Sequence, residues 1–499
     1  MHTKYKLNKM KQVYTMMAVG LSIAFCSLIL VAQPTGKKKK GGGGGGKLAG
    51  SELYALKGIN IIPGAPARES ILLNIISPNN SIAQVDYGIS SNSFQYASPS
   101  FSLQAGEPTE IQLAHLQPDK RYYYRLKYKN EETGKELFSP TSSFRTQIST
   151  GKSFVFGVQG DSHPERAGKM FSSELYFQTI DSVASRQPDF YFMLGDDFSL
   201  DRLMNSGKLN KGAVESVYVT QRYYWGNMGK NPPLFLVNGN HEQSARYLLN
   251  GSPDNFAVYA ANARKKYFPL PDTATIYSGD RTPVENIGLL KDYYAFEWGD
   301  ALFVVIDPYW HSNVPVDNIP GDEQQRKQKQ PWSATLGNEQ YSWLKHTLES
   351  SKSKFKFVFA HHVNGTGRGG VERAKYFEWG GYNQQNSWEF STYRPNWDLP
   401  IHQLMVKNKV TIFFQGHDHL FAHQQLDGVV YQSVPNPADD TYTAFNAASY
   451  LSGKILPNSG FLQVTVQPEK VLVEYVRVSL PGTSQEKELN YSYVIPAKR

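Results

Sequence analysis

The sequence predicts an α/β protein whose apolar strands alternate with helical stretches, preceded by a smaller all-β domain. Three observations carry this. From Gly151 onward, six apolar runs are interspersed with segments of helical spacing, as in sheets covered by helices. Before that point, short alternating runs are broken by turn residues. Several of the later runs also end in polar clusters rich in His and Asp, at the strand ends where such folds gather ligands. With 499 residues, 40% hydrophobic and 13% aromatic, the chain can bury one large core and a second, smaller one.

The first segment has the order of an export signal. A basic stretch, Met1–Lys11, precedes an apolar run from Val13 to Ala32. Residues 1–35 are therefore expected to be a signal peptide cleaved near Ala32, with an uncleaved N-terminal anchor as the alternative and possible membrane tether. Either places the protein outside the cytoplasm, in a periplasm, secreted or on an outer surface. Cys26 is the only cysteine; it reads as a small hydrophobe within the apolar run, since the bulky Phe25 before it argues against lipid attachment. Residues 36–50, with Lys37–Lys40 and Gly41–Gly46, read as a flexible linker. The net charge of +8 is concentrated here: nine lysines and no Asp or Glu fall in residues 1–47, which leaves the rest of the chain at −1. No nucleic-acid-binding surface is indicated.

Residues 51–147 supply the all-β domain. ILLNIIS (71–77), SIAQVDYGI (81–89), EIQLAHL (110–116), RYYYRLKYKN (121–130) and SFRTQ (143–147) read as strands, with turns at 78–80 and 116–120. Their number and spacing predict a β-sandwich. The run AHLQPDKRYYYRLKY with a closing SFRTQ resembles a fibronectin type III domain. No His, Asp or Glu cluster lies in it, so its expected role is structural or docking.

Residues 151–499 carry the chemistry. Strands are expected at 152–161, 189–197, 232–242, 301–307, 354–362 and 409–419, with helices at 172–187 and 337–351. Five clusters follow apolar runs: Asp161-Ser162-His163, Asp196-Asp197, Asn240-His241-Glu242, His361-His362 and His417-Asp418-His419. Four are preceded by a glycine, Gly160, Gly195, Gly239 and Gly416, that admits a tight turn after a strand. A mixture of carboxylate, imidazole and amide without thiolate suits first-row metals such as Fe, Mn, Zn or Co. Two such ions clamp the attacking and leaving oxygens of an in-line displacement, with a bridging hydroxide as nucleophile.

In this order the five blocks resemble the metallophosphoesterase (calcineurin-like) superfamily, whose pattern is DxH, GDxx, GNHE, a lone His and GHxH. The resemblance spans about Ser153 to His423 and implies an αββα fold, a central β-sandwich flanked by helices. It also implies a dinuclear hydrolase of phosphate monoesters or diesters, with two divalent or mixed-valence ions and a small phosphate ester as substrate. Carried over residue by residue, Asp161, His163 and His419 hold the first ion. Asn240, His361 and His417 hold the second, Asp196 bridges, and His241 acts on the substrate. Glu242 and Asp418 are expected to orient imidazoles. His362 and His423 are assigned supporting or structural roles, Asp197 hydrogen bonding near its turn, and Asp439 and Asp440 a solvated loop.

A β-domain ahead of such a catalytic domain resembles purple acid phosphatases. The chain departs from them at His163, where they have Gly, and at Ser199, where they have a tyrosinate ligand. The expected protein is therefore colourless. The segment from Asn364 to Pro400 is read as a wall over the ions, offering Arg368, Arg373 and Arg394 to phosphate and Trp379, Tyr382 and Trp397 to a flat group. An insertion packing its own aromatics is the equal alternative. The rival function is a surface-attached binding protein with a vestigial metal site.

Overall fold

The computed structural model describes residues 58–497 apart from 227–230, 243–244, 274, 314–315, 317–330, 366 and 484–490. The expected leader and linker, Cys26 included, lie outside the described residues. Among those described, no helix is long and apolar enough to cross a membrane.

Two sheets packed face to face form the centre. One has nine strands in the order Tyr491–Pro496, Lys470–Arg477, Gly460–Gln467, Phe154–Gln159, Phe190–Met193, Leu234–Leu236, Asn60–Gly64, Ile71–Ile76 and Thr109–Leu113. The other has eight, with Tyr294–Trp298, Ala301–Val305, Phe355–Phe359 and Ile412–Gln415 at its middle. Phenylalanines from both inner faces fill the space between: Phe156, Phe190, Phe192 and Phe235 meet Phe303, Phe357, Phe359 and Phe414. Phe192 and Phe359 stack with centroids 4.1 Å apart. Burying each such ring contributes roughly 1.5–3 kcal/mol.

The strands are apolar on both faces because helices cover the outside. Along Phe190–Met193, the Phe side chains point between the sheets, while Tyr191 and Met193 pack under helices Ser173–Arg186, Lys211–Gly226 and Phe256–Tyr267. On the other sheet Val304, Val358 and Phe413 lie beneath Gly337–Ser350 and Ile401–Lys407. The result is the αββα architecture. Helix Ser173–Arg186 begins where it does because Ser172 Oγ accepts the Leu175 N–H at 3.3 Å. The helix at Lys211–Gly226 and the three C-terminal strands were not legible as distinct elements in the sequence.

The N-terminal region is all-β, consistent with a fibronectin type III-like sandwich. Its second sheet is built around Ser81–Gly88 and Arg121–Asn130, paired antiparallel, and packs on Ile71, Leu73 and Ile75. Its first sheet is continuous with the nine-stranded sheet: Asn60–Gly64 pairs antiparallel with Ile71–Ile76 and touches Leu234–Leu236 in parallel at Gly64 and Leu234. Arg222, fully buried on helix Lys211–Gly226, fastens this join. Its Nη1 donates to Asn74 Oδ1 (2.8 Å) and to the Tyr267 carbonyl, and its Nη2 to the carbonyls of Asn60 (3.2 Å) and Asn74 (3.0 Å). Burial pushes its pKa down to about 9. Asp189 takes Arg121 at 3.1 Å across the same join.

Candidate metal centre

Five strand ends converge at one edge of the two sheets, and each delivers a polar turn. Left-handed backbone there is common: His163, Asp196, His417 and His419 have φ of 50°, 58°, 65° and 55°. Each such non-glycine residue costs on the order of 1–3 kcal/mol, a strain that clusters at functional sites. Close approach is also enforced by glycine. A Cβ on Gly416 would sit 2.5 Å from Asp161 Oδ1, and one on Gly239 would sit 2.2 Å from Asp196 Oδ1.

The two central carboxylates are built alike. Asp161 Oδ1 accepts the His417 N–H at 2.6 Å and Asp196 Oδ1 accepts the His241 N–H at 2.9 Å, so each locks a turn from another strand. Each Oδ2 points into the cluster. Asp161 Oδ2 lies 3.1 Å from His419 Nε2 and 3.8 Å from His361 Nε2. Asp196 Oδ2 lies 3.1 Å from His361 Nε2 and 3.7 Å from both His163 Nε2 and His241 Nε2. Ligand-type atoms of Asp161, His163 and His419 fall within 4.8 Å of one another, as do those of Asp161, Asp196, His361 and His417. Asn240 is buried in the turn between Gly239 and His241.

Partners outside the cluster set which ring nitrogen faces in. His361 Nδ1 donates to the Leu194 carbonyl at 2.8 Å. His163 Nδ1 meets Ser199 Oγ at 2.9 Å and Glu165 Oε1 at 3.0 Å. His241 Nδ1 lies 3.1 Å from Asp201 Oδ1. In all three, Nε2 is left for the interior.

The residues fit a cation. Asp161 Oδ2 and His163 Nε2 are buried polar atoms without a hydrogen bond, which is costly unless something polar meets them. Burial opposes charge on His361, yet Asp196 and Asp161 outweigh it and lift the ring to about 10. Burial likewise opposes His241, and Asp196 with Asp201 raises it to about 9. Burial and then Arg166 push His163 down to about 4, which keeps it neutral as a ligand must be. The field that draws protons onto His361 and His241 favours any cation at the same place.

Several expectations need correction. Glu242 does not orient an imidazole; its carboxylate accepts the N–H groups of Gly239 (2.8 Å), Asp197 (3.0 Å) and Phe198 (3.3 Å) and so ties two turns together. Asp418 accepts from Arg368, the Gly369 N–H and the Tyr450 hydroxyl (3.0, 2.8 and 2.6 Å). Asp439 is buried, held by Asn458 at 2.8 Å, and only Asp440 is exposed. Within Asn364–Pro400, Trp379 and Trp397 are core residues and Arg394 pairs with Glu378, so the segment packs its own aromatics. Of its arginines only Arg368 lines the cleft over the centre. Other expectations hold: Asp197 makes hydrogen bonds at its turn, accepting from Gln159 and Ser162 at 3.0 and 2.7 Å. His362 stacks on His417 (centroids 4.1 Å) and meets the Tyr309 hydroxyl, while His423 stacks on Tyr493, away from the centre.

The cleft holds about 410 Å³ and is also lined by Glu165, Arg166, Lys169, Asp201, Arg202 and Phe445. None of these was singled out in the sequence. Glu165 and Arg166 stand two and three residues after His163, a proximity that could have drawn attention to them; Asp201, Arg202 and Phe445 carry no sequence signal.

With this geometry in place, comparison with known proteins is direct. The sequence profile of the calcineurin-like phosphoesterase family matches residues 154–421, more than half of the chain. The protein belongs to that family and is a metal-dependent phosphoesterase. Its fold is similar to that of PhoD (TM-score 0.59, 15% identity, covering 88% of this chain and 90% of that one). It is also similar to a purple acid phosphatase from yellow lupin, Lupinus luteus, seeds (TM-score 0.51, 16% identity, 88% of this chain and 74% of that one). No curated protein matches it by sequence.

Proposed function

We propose that the protein is an exported hydrolase of small phosphate esters with a two-ion centre. Asp161, His163 and His419 hold one ion, Asn240, His361 and His417 the other, and Asp196 stands between them. One observation carries the two-ion reading: Asp196 Oδ2 lies 3.1 Å from His361 Nε2 of one set and 3.7 Å from His163 Nε2 of the other. Seven candidate ligands also exceed what one ion accepts in an N/O site of this kind. Bound ions supply Lewis acidity and lower the pKa of water toward neutrality.

The protein's own groups do the rest. His241, backed by Asp201 at 3.1 Å, presents Nε2 to the cleft and donates a proton to the leaving oxygen. Arg166 Nη2, 3.2 Å from that nitrogen, faces the same space and binds a phosphate oxygen. Ser199, on His163 Nδ1, offers an aliphatic hydroxyl rather than a phenolate, so no iron–tyrosinate chromophore is expected from it. Action outside the cytoplasm rests on the basic-then-apolar order of residues 1–32.

Metal analysis of the purified protein should find about two equivalents, with no intense visible band. Mn, Zn or Co should restore turnover of p-nitrophenyl phosphate or bis(p-nitrophenyl) phosphate after chelation. Uptake of a single ion, or turnover of neither ester with any metal, would overturn the reading.

A further inference from the structure

The mouth of the cleft carries more positive charge than one phosphate needs. Four cations line it: Arg166, Lys169, Arg202 and Arg368. Two are already engaged. Arg166 Nε donates to Glu165 Oε1 (3.2 Å) while its Nη2 faces His241. Arg368 Nη1 donates to the His417 carbonyl (2.7 Å) and to Asp418 Oδ1 (3.0 Å). The acidic residues of the lining are engaged as well, Glu165 by His163 and Arg166, and Asp201 by His241.

Lys169 and Arg202 differ from these. Both are exposed. The Lys169 ammonium makes no ion pair among the described residues, and Arg202 makes one hydrogen bond, from Nη1 to the Glu165 carbonyl at 3.0 Å. Each is nevertheless fixed to the centre through its backbone. Lys169 ends a turn closed by its N–H on the Arg166 carbonyl (3.0 Å), and Arg202 follows Asp201, which holds His241. The His419 flank is apolar instead: Phe445, 53% exposed, stands edge-on to His419 at 5.7 Å. The cations without a carboxylate partner among the described residues therefore stand on the His163–His241 side, while Arg368 on the other side is held by Asp418.

We infer that Lys169 and Arg202 form a subsite for a second anionic group, so that the preferred substrates are small phosphomonoesters bearing another phosphate or carboxylate a short distance from the scissile one. This rests on the phosphoesterase reading above. A phosphate seated at the centre meets Arg166 and His241, and an anion further out meets the two outer cations by charge-assisted hydrogen bonds.

The test compares propyl phosphate with propane-1,3-diyl bisphosphate, which differ only in the second phosphate. Phosphate release is measured with the metal-loaded protein and with Lys169→Ala/Arg202→Ala. The wild type should favour the bisphosphate in kcat/KM by at least about tenfold, through KM. The double variant should bring that ratio down to the statistical value set by two equivalent phosphates, with metal content and thermal midpoint retained. A wild-type ratio already at the statistical value overturns the inference. So does a double variant that slows both esters equally, since the cations would then only raise the local potential. Release from neither ester by a wild type that still turns over bis(p-nitrophenyl) phosphate also overturns the inference, whereas failure on the nitrophenyl esters as well would sink the hydrolase reading on which it rests.

Discussion

Arg222 and Asp196 are both ionisable side chains sealed inside the protein, and each is surrounded by polar atoms from distant parts of the chain. Around Arg222 both terminal guanidinium nitrogens end on acceptors, the Asn74 side chain and the carbonyls of Asn60, Asn74 and Tyr267. Around Asp196 one oxygen is satisfied by a backbone N–H, while the other joins Asp161 Oδ2 and four imidazoles in a single small space. The first network gives both terminal nitrogens to oxygen acceptors, leaves only Nε without one, and joins two regions of the fold. The second is short of positive charge and sits at the base of a cleft. A buried cation whose terminal donors end on oxygens is structural; buried donors of electron pairs gathered together suit a cation.

The largest effect expected of any single change is at the second network. Asp196→Asn removes the charge between the two sets of ligands, so metal content by elemental analysis should fall sharply and turnover should drop to background. Retention of both ions in this variant would break the comparison at its root.

Next in size is His241→Asn. This residue contacts Asp196, Asp201 and Arg166 from the cleft side, so metal content should be preserved while kcat falls by ~10²–10⁴, the scale of one proton-transfer group. Metal loss equal to that of Asp196→Asn would show that His241 belongs to the ligand set.

Arg222→Met tests the first network. Four acceptors lose their donor, which should lower unfolding free energy by about 3 kcal/mol in a denaturant titration. Turnover per folded molecule should be kept, because no acceptor of Arg222 lies in the cleft. A variant with wild-type stability but impaired catalysis would reverse the roles assigned to the two networks.

The smallest effect is expected at Ser199→Ala. Ser199 supports His163 Nδ1 at 2.9 Å, but Glu165 supports the same nitrogen at 3.0 Å. Loss of one of two supports should weaken binding of the first ion by about tenfold in a competition titration with a chelator, the low end for residues that orient ligands. Adding Glu165→Gln should deepen the loss.

Much of the centre was legible before any coordinates. Asp161 with His163, and His417 with His419, stand two residues apart after apolar runs, and a turn at a strand end brings such pairs together without help from the rest of the fold. The expected strand at 121–130 matches Arg121–Asn130, and the helix expected at 172–187 is Ser173–Arg186, because period and capping are local properties of the chain. Glu242 and Asp418 were misread for the opposite reason. Proximity in sequence to His241 and His417 suggested imidazole partners, whereas their carboxylates meet N–H groups supplied by turns up to 49 residues away.

The sequence by itself determined the fold class, the family and most of the His and Asp residues that the fold gathers into one buried cluster, since strand period, turn glycines and ligand chemistry are written in short stretches. Only the tertiary structure decided that the N-terminal β region shares a sheet with the catalytic fold, because a single parallel contact at Gly64 and a buried arginine on a helix leave no periodic trace. It alone placed Arg166, Lys169, Arg202 and Phe445 around one cleft. Charged and aromatic side chains at a surface read alike in sequence, and what distinguishes these four is the set of distant residues they face.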